Sequence, residues 1–220
     1  MILGTGCLGE RALDGPAIRA ALGASGMDRV LLVVSEGARP HELRGVPAAG
    51  VRCAWDELAA GLEAVRLVRA PRLVLELPVT LDLESACREL FACARGQQGL
   101  ALAVATPDAG PLAQPDAYAL MLAELASVRV GYWHRPSRAH LLGHGDVPWL
   151  DALGRRLVGM SIDDVADGQP GAPPGLGGMD LKVAAAAAGS ALEVALDIAP
   201  LPDTGLLRLA REHLRQVGFR

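Results

Sequence analysis

Short apolar runs alternate with stretches of helical spacing along the whole chain, and this alternation restricts its fold more than any other feature. A strand that is apolar on both faces must be covered on both, and a crossover helix between two such strands sets them parallel. The runs fall at residues 2–4, 30–34, 51–53, 73–77, 100–104, 128–132, 157–162 and 192–196. The clearest helix spans residues 82–95, where Leu83, Ala86, Cys87, Leu90, Phe91 and Ala94 repeat on one face before Gly96 and Gly99 stop it. Others are expected from Pro16 onward and over 55–68, 114–125 and 203–217, the last capped by Gly218. Eight strand and helix units predict an α/β fold, a compact (β/α)8 barrel of the TIM type, formed by residues 1–220 as a single domain. At 220 residues the chain is near the lower limit for that architecture, so several helices must be short, and a doubly wound open sheet is the other arrangement the pattern admits. The Pro- and Gly-rich stretch 168–178 then follows the seventh strand, where barrel sites are built, as a lid or pocket wall.

Charge narrows the partners. Net charge is −4, and Lys182 is the one lysine against twenty arginines, so there is no basic block of the kind that binds nucleic acid. Cys7, Cys53, Cys87 and Cys93 show no C-x-x-C spacing, and the opening residues lack a secretory pattern, which points to a reducing cytoplasm. No apolar run is long enough to span a bilayer, and no membrane partner is expected.

Two motifs carry little weight. Gly4-Thr5-Gly6-Cys7-Leu8-Gly9 fits G-x-G-x-x-G, with Glu36 as the ribose-binding acid, but the helix start marked by Asp14-Gly15-Pro16 comes too late to face a pyrophosphate. Lys182 follows Asp180-Leu181 in a helix-like segment and reads as a solvated lysine rather than a Schiff-base nucleophile.

The informative segments are Tyr132-Trp133-His134-Arg135-Pro136-Ser137-Arg138-Ala139-His140 and Leu157-Val158-Gly159-Met160-Ser161-Ile162-Asp163-Asp164. With Pro174-Gly175-Leu176-Gly177-Gly178-Met179-Asp180 and Leu192-Glu193-Val194, they come in the order and spacing of the xylose-isomerase-like barrel superfamily, which the second half of the chain resembles. That superfamily includes sugar-phosphate isomerases/epimerases and the family 2 apurinic endonucleases. The resemblance implies a site of Glu, Asp and His holding divalent ions at the strand ends, where the metal polarises a carbonyl while a neighbouring group moves a proton.

The ligand positions depart from that pattern. Tyr-Trp-His-Asp-x-x-His-Ala becomes a sequence with Arg135 and Arg138 at the aspartate and histidine. His-Leu-His-Asp becomes Ser161-Ile162-Asp163-Asp164, and a glutamate on strand five becomes Ala105. Guanidinium has no lone pair to donate and stays protonated, so it repels a cation instead of binding it.

Two readings follow. In one, Arg135 and Arg138 replace the metal's charge, pairing with Asp163, Asp164 or Glu193. No cofactor is then needed, isomerase chemistry is gone, and a pseudoenzyme remains that binds a small anionic molecule or a protein partner. Its candidate binding residues are Glu76, Trp133, His134, Arg135, Arg138, Asp163 and Glu193, with no catalytic residue assigned. In the other, an active isomerase/epimerase keeps a divalent metal such as Mn or Zn on a shifted set drawn from His134, His140, His144, Asp163 and Glu193. The i, i+4 spacing of His140 and His144 suits one helix face, but Pro136, Gly143 and Gly145 favour a solvated loop. Asp163 and Asp164 cannot both point into a barrel, and Asp163 shares the face of Ser161.

Overall fold

In the computed structural model of the chain, residues 2–5, 15–34, 43–97, 99–189, 192–198 and 204–219 are described. The candidates Cys7 and Glu36 lie outside them. Strands β1 (Ile2–Thr5), β2 (Val30–Val34), β3 (Ala48–Ala54), β4 (Arg72–Glu76), β5 (Ala101–Ala105), β6 (Gly131–His134) and β7 (Leu157–Ile162) are joined by a last barrel strand, β10 (Glu193–Ile198). A small antiparallel hairpin, β8 (Asp164–Ala166) and β9 (Gln169–Ala172), lies between β7 and β10 in the chain. The eight barrel strands run parallel and close, with β1 paired to both β2 and β10. The open-sheet alternative is thereby excluded.

Helices α1 (Gly15–Ser25), α2 (Leu58–Val68), α3 (Leu83–Gly96), α4 (Pro115–Glu124), α5 (Pro136–Leu141), α6 (Asp146–Leu153), α7 (Lys182–Ala188) and α8 (Thr204–Val217) complete the chain. Local chemistry fixes several starts. Asp82 caps α3 by accepting the Ser85 amide at 2.8 Å, and Pro115 and Pro136 occupy the first turns of α4 and α5, where a missing N–H costs nothing. The strand expected over 128–132 begins later, because residues 126–128 form a 3-10 turn and Arg129 adopts φ 56°. The segment 168–178 is partly the β9 strand rather than a plain loop.

Two apolar layers result. The outer one, between strands and helices, contains Leu73, Leu75, Leu90, Tyr118, Tyr132 and Trp149. The inner one is Leu31, Ala49, Val74, Ala103, Ala105, Trp133 and Ala195. Its alanines leave room for a single indole. Gly159 completes that room, since a Cβ there would fall 2.1 Å from Cζ3 of Trp133. Trp133 is therefore the side chain that fills the barrel interior.

Candidate functional site

Side chains alternate across a strand, and this decides which motif residues reach the barrel interior. Along β6, Trp133 points inward, while Tyr132 and His134 point to the helix layer. The next residue, Arg135, returns to the interior side and extends over the C-terminal ends of the strands. Along β7, Ser161 faces inward and accepts both the Trp133 indole N–H at 2.9 Å and an Arg52 N–H at 3.2 Å.

Above that floor lies a network of charges. Arg52 of β3 binds the Asp197 carboxylate of β10 through both Nη atoms, and its Nε sits 3.4 Å from Glu76 of β4. Arg135 donates to the other side of the network, bonding Glu76 at 2.7 Å. Asp108, on the loop after β5, stands 3.7 Å from Arg135 and 3.0 Å from Arg138 of α5. Burial alone would weaken the Arg52 charge, but the Asp197 and Glu76 carboxylates hold it above the ordinary arginine value. Burial likewise opposes the Asp197 charge, and the Arg52 cation together with Arg135 and Arg138 offsets it, keeping Asp197 below the usual aspartate value.

Asp163 follows β7 into the same interior. It is 5% exposed, and burial followed by the nearby Asp197 charge raises its carboxyl to about 6. Its carboxylate accepts the Gly171 amide of β9 at 2.7 Å. Asp164 points the other way. It accepts four backbone amides, from Val165, Gly175, Gly177 and Met179, and so shapes the glycine-rich turn after β9.

Of the residues expected at the site, the structure gathers Glu76, Trp133, Arg135, Arg138 and Asp163. It does not bring Glu193 or His134 to them. Glu193 is the first residue of β10, at the opposite end of the barrel, where it pairs with Arg72 and lies 3.4 Å from Arg29. The Arg72 guanidinium stacks 5.6 Å from the Trp133 ring centre on that lower side. His134 is fully buried against the helices, its Nδ1 2.7 Å from the Tyr132 hydroxyl and its Nε2 2.9 Å from Asp146 of α6. Of the expected partners, Asp164 is turned outward, Glu193 is below Trp133, and Asp163 feels the Arg135 charge but bonds the Gly171 amide, so the arginines' close ion contacts are with Glu76 and Asp108. His140 belongs to helix α5 rather than a loop and is exposed, and His144 lines a surface depression with Gln114, Asp116 and Asp151.

Arg52, Asp197 and Asp108 were not singled out in the sequence. The first two had a visible signal, a charge inside Val51-Arg52-Cys53 and inside Leu196-Asp197-Ile198, where a buried ion demands a partner of opposite sign. Asp108 lies in a turn and carries no such mark.

The described residues of the mouth do not fit a divalent metal. Guanidiniums stand among its carboxylates, His134 faces away, and among the described residues no three His, Cys, Asp or Glu side chains gather to hold an ion.

No family model and no curated protein matches the chain. Solved structures do. The IolI protein with a bound zinc atom superposes with a TM-score of 0.71 at 14% identity, covering 99% of this chain and 96% of that one. A xylose isomerase domain protein from Alicyclobacillus acidocaldarius subsp. acidocaldarius gives 0.69 at 14% identity, covering 98% and 97%. A fusion of a xylose isomerase-like TIM barrel with 4-hydroxyphenylpyruvate dioxygenase gives 0.69 at 16% identity over 98% of this chain, which spans 42% of that protein. Strand closure, strand order and these likenesses together show that the chain has the xylose-isomerase-like TIM-barrel fold.

Proposed function

We propose that this barrel works without a metal and without isomerase chemistry, as a binding module for a small anionic molecule held at the C-terminal mouth. The observation that carries this reading is the Arg135 guanidinium bonded to Glu76 at 2.7 Å, beside Arg138 and over the Arg52–Asp197 pair. In a metal-dependent isomerase a cation polarises a carbonyl between carboxylates. Here arginines stand between the carboxylates, and a guanidinium fork recognises a phosphoryl or carboxylate group rather than activating water.

The zinc of the IolI neighbour favours the second reading, a divalent metal on a shifted ligand set. Against it stand the outward turn of His134 and the distant place of Glu193, which break that set apart. Elemental analysis of untagged protein, before and after incubation with Mn and Zn, separates the two readings. The anion-binding reading expects no stoichiometric metal, together with a melting temperature that rises with inorganic phosphate at constant ionic strength, since a ligand of the native state stabilises it. One tightly held Zn or Mn per chain, lost with Asp163→Ala, would overturn it.

A further inference from the structure

Resting on that anion-binding reading, we infer that Asp108 sits where the ligand's phosphoryl group binds, on Arg138 and Arg135, so that ligand binding exchanges one anion for another. Its two ion contacts converge from different elements, Arg138 of α5 and Arg135 at the end of β6. The carboxylate is loosely held. Its side chain is 49% exposed, and it makes no hydrogen bond to any described residue, whereas Glu76 is fixed to Arg135 by one. The Nε of Arg138 is buried and hydrogen-bonds to nothing, so the 3.0 Å approach of Asp108 is an ion contact without a bond, and that N–H is left for an oxygen better placed.

The arginines also crowd each other. Burial, and then the charge of Arg135, lower the pKa of Arg138, which marks a spot short of negative charge even with Asp108 present. A dianionic phosphoryl group answers that shortage. It carries more charge than the carboxylate it displaces and has three oxygens to spread over two forks. A monoanionic carboxylate ligand would replace like with like, from solution instead of from a tethered side chain, and would lose the competition. Asp108 thus selects phosphomonoesters over simple carboxylates.

Calorimetric titration of the full chain with inorganic phosphate and, separately, acetate tests the inference on the wild type, Asp108→Asn and Arg138→Gln. Asp108→Asn should bind phosphate roughly two- to fivefold more tightly, the scale of one competing, partly exposed ion pair. It should also acquire acetate binding that the wild type lacks, and Arg138→Gln should lose phosphate binding. Wild-type phosphate binding that is unchanged in Asp108→Asn would overturn the role of Asp108 and leave the anion-binding reading standing. Absence of phosphate binding in all three proteins, with folding verified by circular dichroism, would overturn both.

Discussion

The Arg52 guanidinium crosses the barrel interior to grip the Asp197 carboxylate with both Nη atoms, tying the third barrel strand to the eighth. Both residues are nearly buried, at 6% and 7% exposure, so removing either leaves a buried charge without its hydrogen-bonded counter-ion. Arg52→Met and Asp197→Asn are each expected to lower unfolding stability by about 3–5 kcal/mol, the range for removing one partner of a buried pair. The double variant Arg52→Met/Asp197→Asn should cost less than the sum of the two single changes, because it leaves no unpaired charge. Urea denaturation of the three variants checks this, and additive losses would show that the two side chains act separately.

The pH dependence of stability follows from Asp163. Its carboxyl rises to about 6 in the folded chain, through burial and then the Asp197 charge, against an unfolded value of about 4. The native state therefore binds a proton that the unfolded chain has released, and the associated stability is present below about pH 4 and lost as pH rises through about 6. Asp197 acts in the opposite sense, its depressed carboxyl supporting the fold above the ordinary aspartate range and ceasing to do so as pH falls below it. Asp163→Asn should stabilise the protein by on the order of 2 kcal/mol near neutral pH and hardly at all near pH 4. Denaturation midpoints at the two pH values decide it; a gap independent of pH would refute the assignment.

Gly159 is expected to be intolerant of any side chain. A methyl group would enter the Trp133 ring, and the inner layer has no slack to move it. Gly159→Ala should cost at least about 1–3 kcal/mol and change the near-ultraviolet circular dichroism of the indole. Retention of both native stability and that spectrum would mean the ring is not locked.

The proton arrangement on His134 is also fixed by its neighbours. A carboxylate only accepts, so Asp146 draws the proton to Nε2, and Nδ1 then accepts from the Tyr132 hydroxyl. Thr106 stands 2.8 Å from that hydroxyl and accepts the Arg135 amide at 2.9 Å, so the chain ends at the backbone of a mouth arginine. Nitrogen chemical shifts of the imidazole should report the Nε2–H form, and Thr106→Val should lower stability by about 1 kcal/mol. An Nδ1–H form would instead make the Tyr132 hydroxyl accept from His134 and donate to Thr106.

The sequence patterns located the strands well where the chain is apolar and uninterrupted: 30–34 and 157–162 match β2 and β7 residue for residue. They did less well where polar side chains satisfy the backbone. The β8–β9 hairpin and its following turn depend on Asp163 and Asp164 accepting amides from Gly171, Gly175, Gly177 and Met179, a long-range matter that local propensity does not carry. Helices α5, α6 and α7, of six to eight residues, are too short to establish a period. At the site, alternation on β7 correctly separated Asp163 from Asp164, and the same rule applied to β6 separates His134 from Trp133. Glu193 was misplaced for a different reason. Its strand was recognised, but its position at the strand's first residue puts it at the N-terminal end, and Asp197, four residues on, reaches the mouth instead.

The indole of Trp133 gives the barrel a floor. With alanines around it, Gly159 against it and Arg72 stacked beneath, the interior is closed at that level and is not a tube. A molecule resting on Arg135 and Arg138 would therefore have no passage past the indole to the end of the barrel where Arg72 meets Glu193.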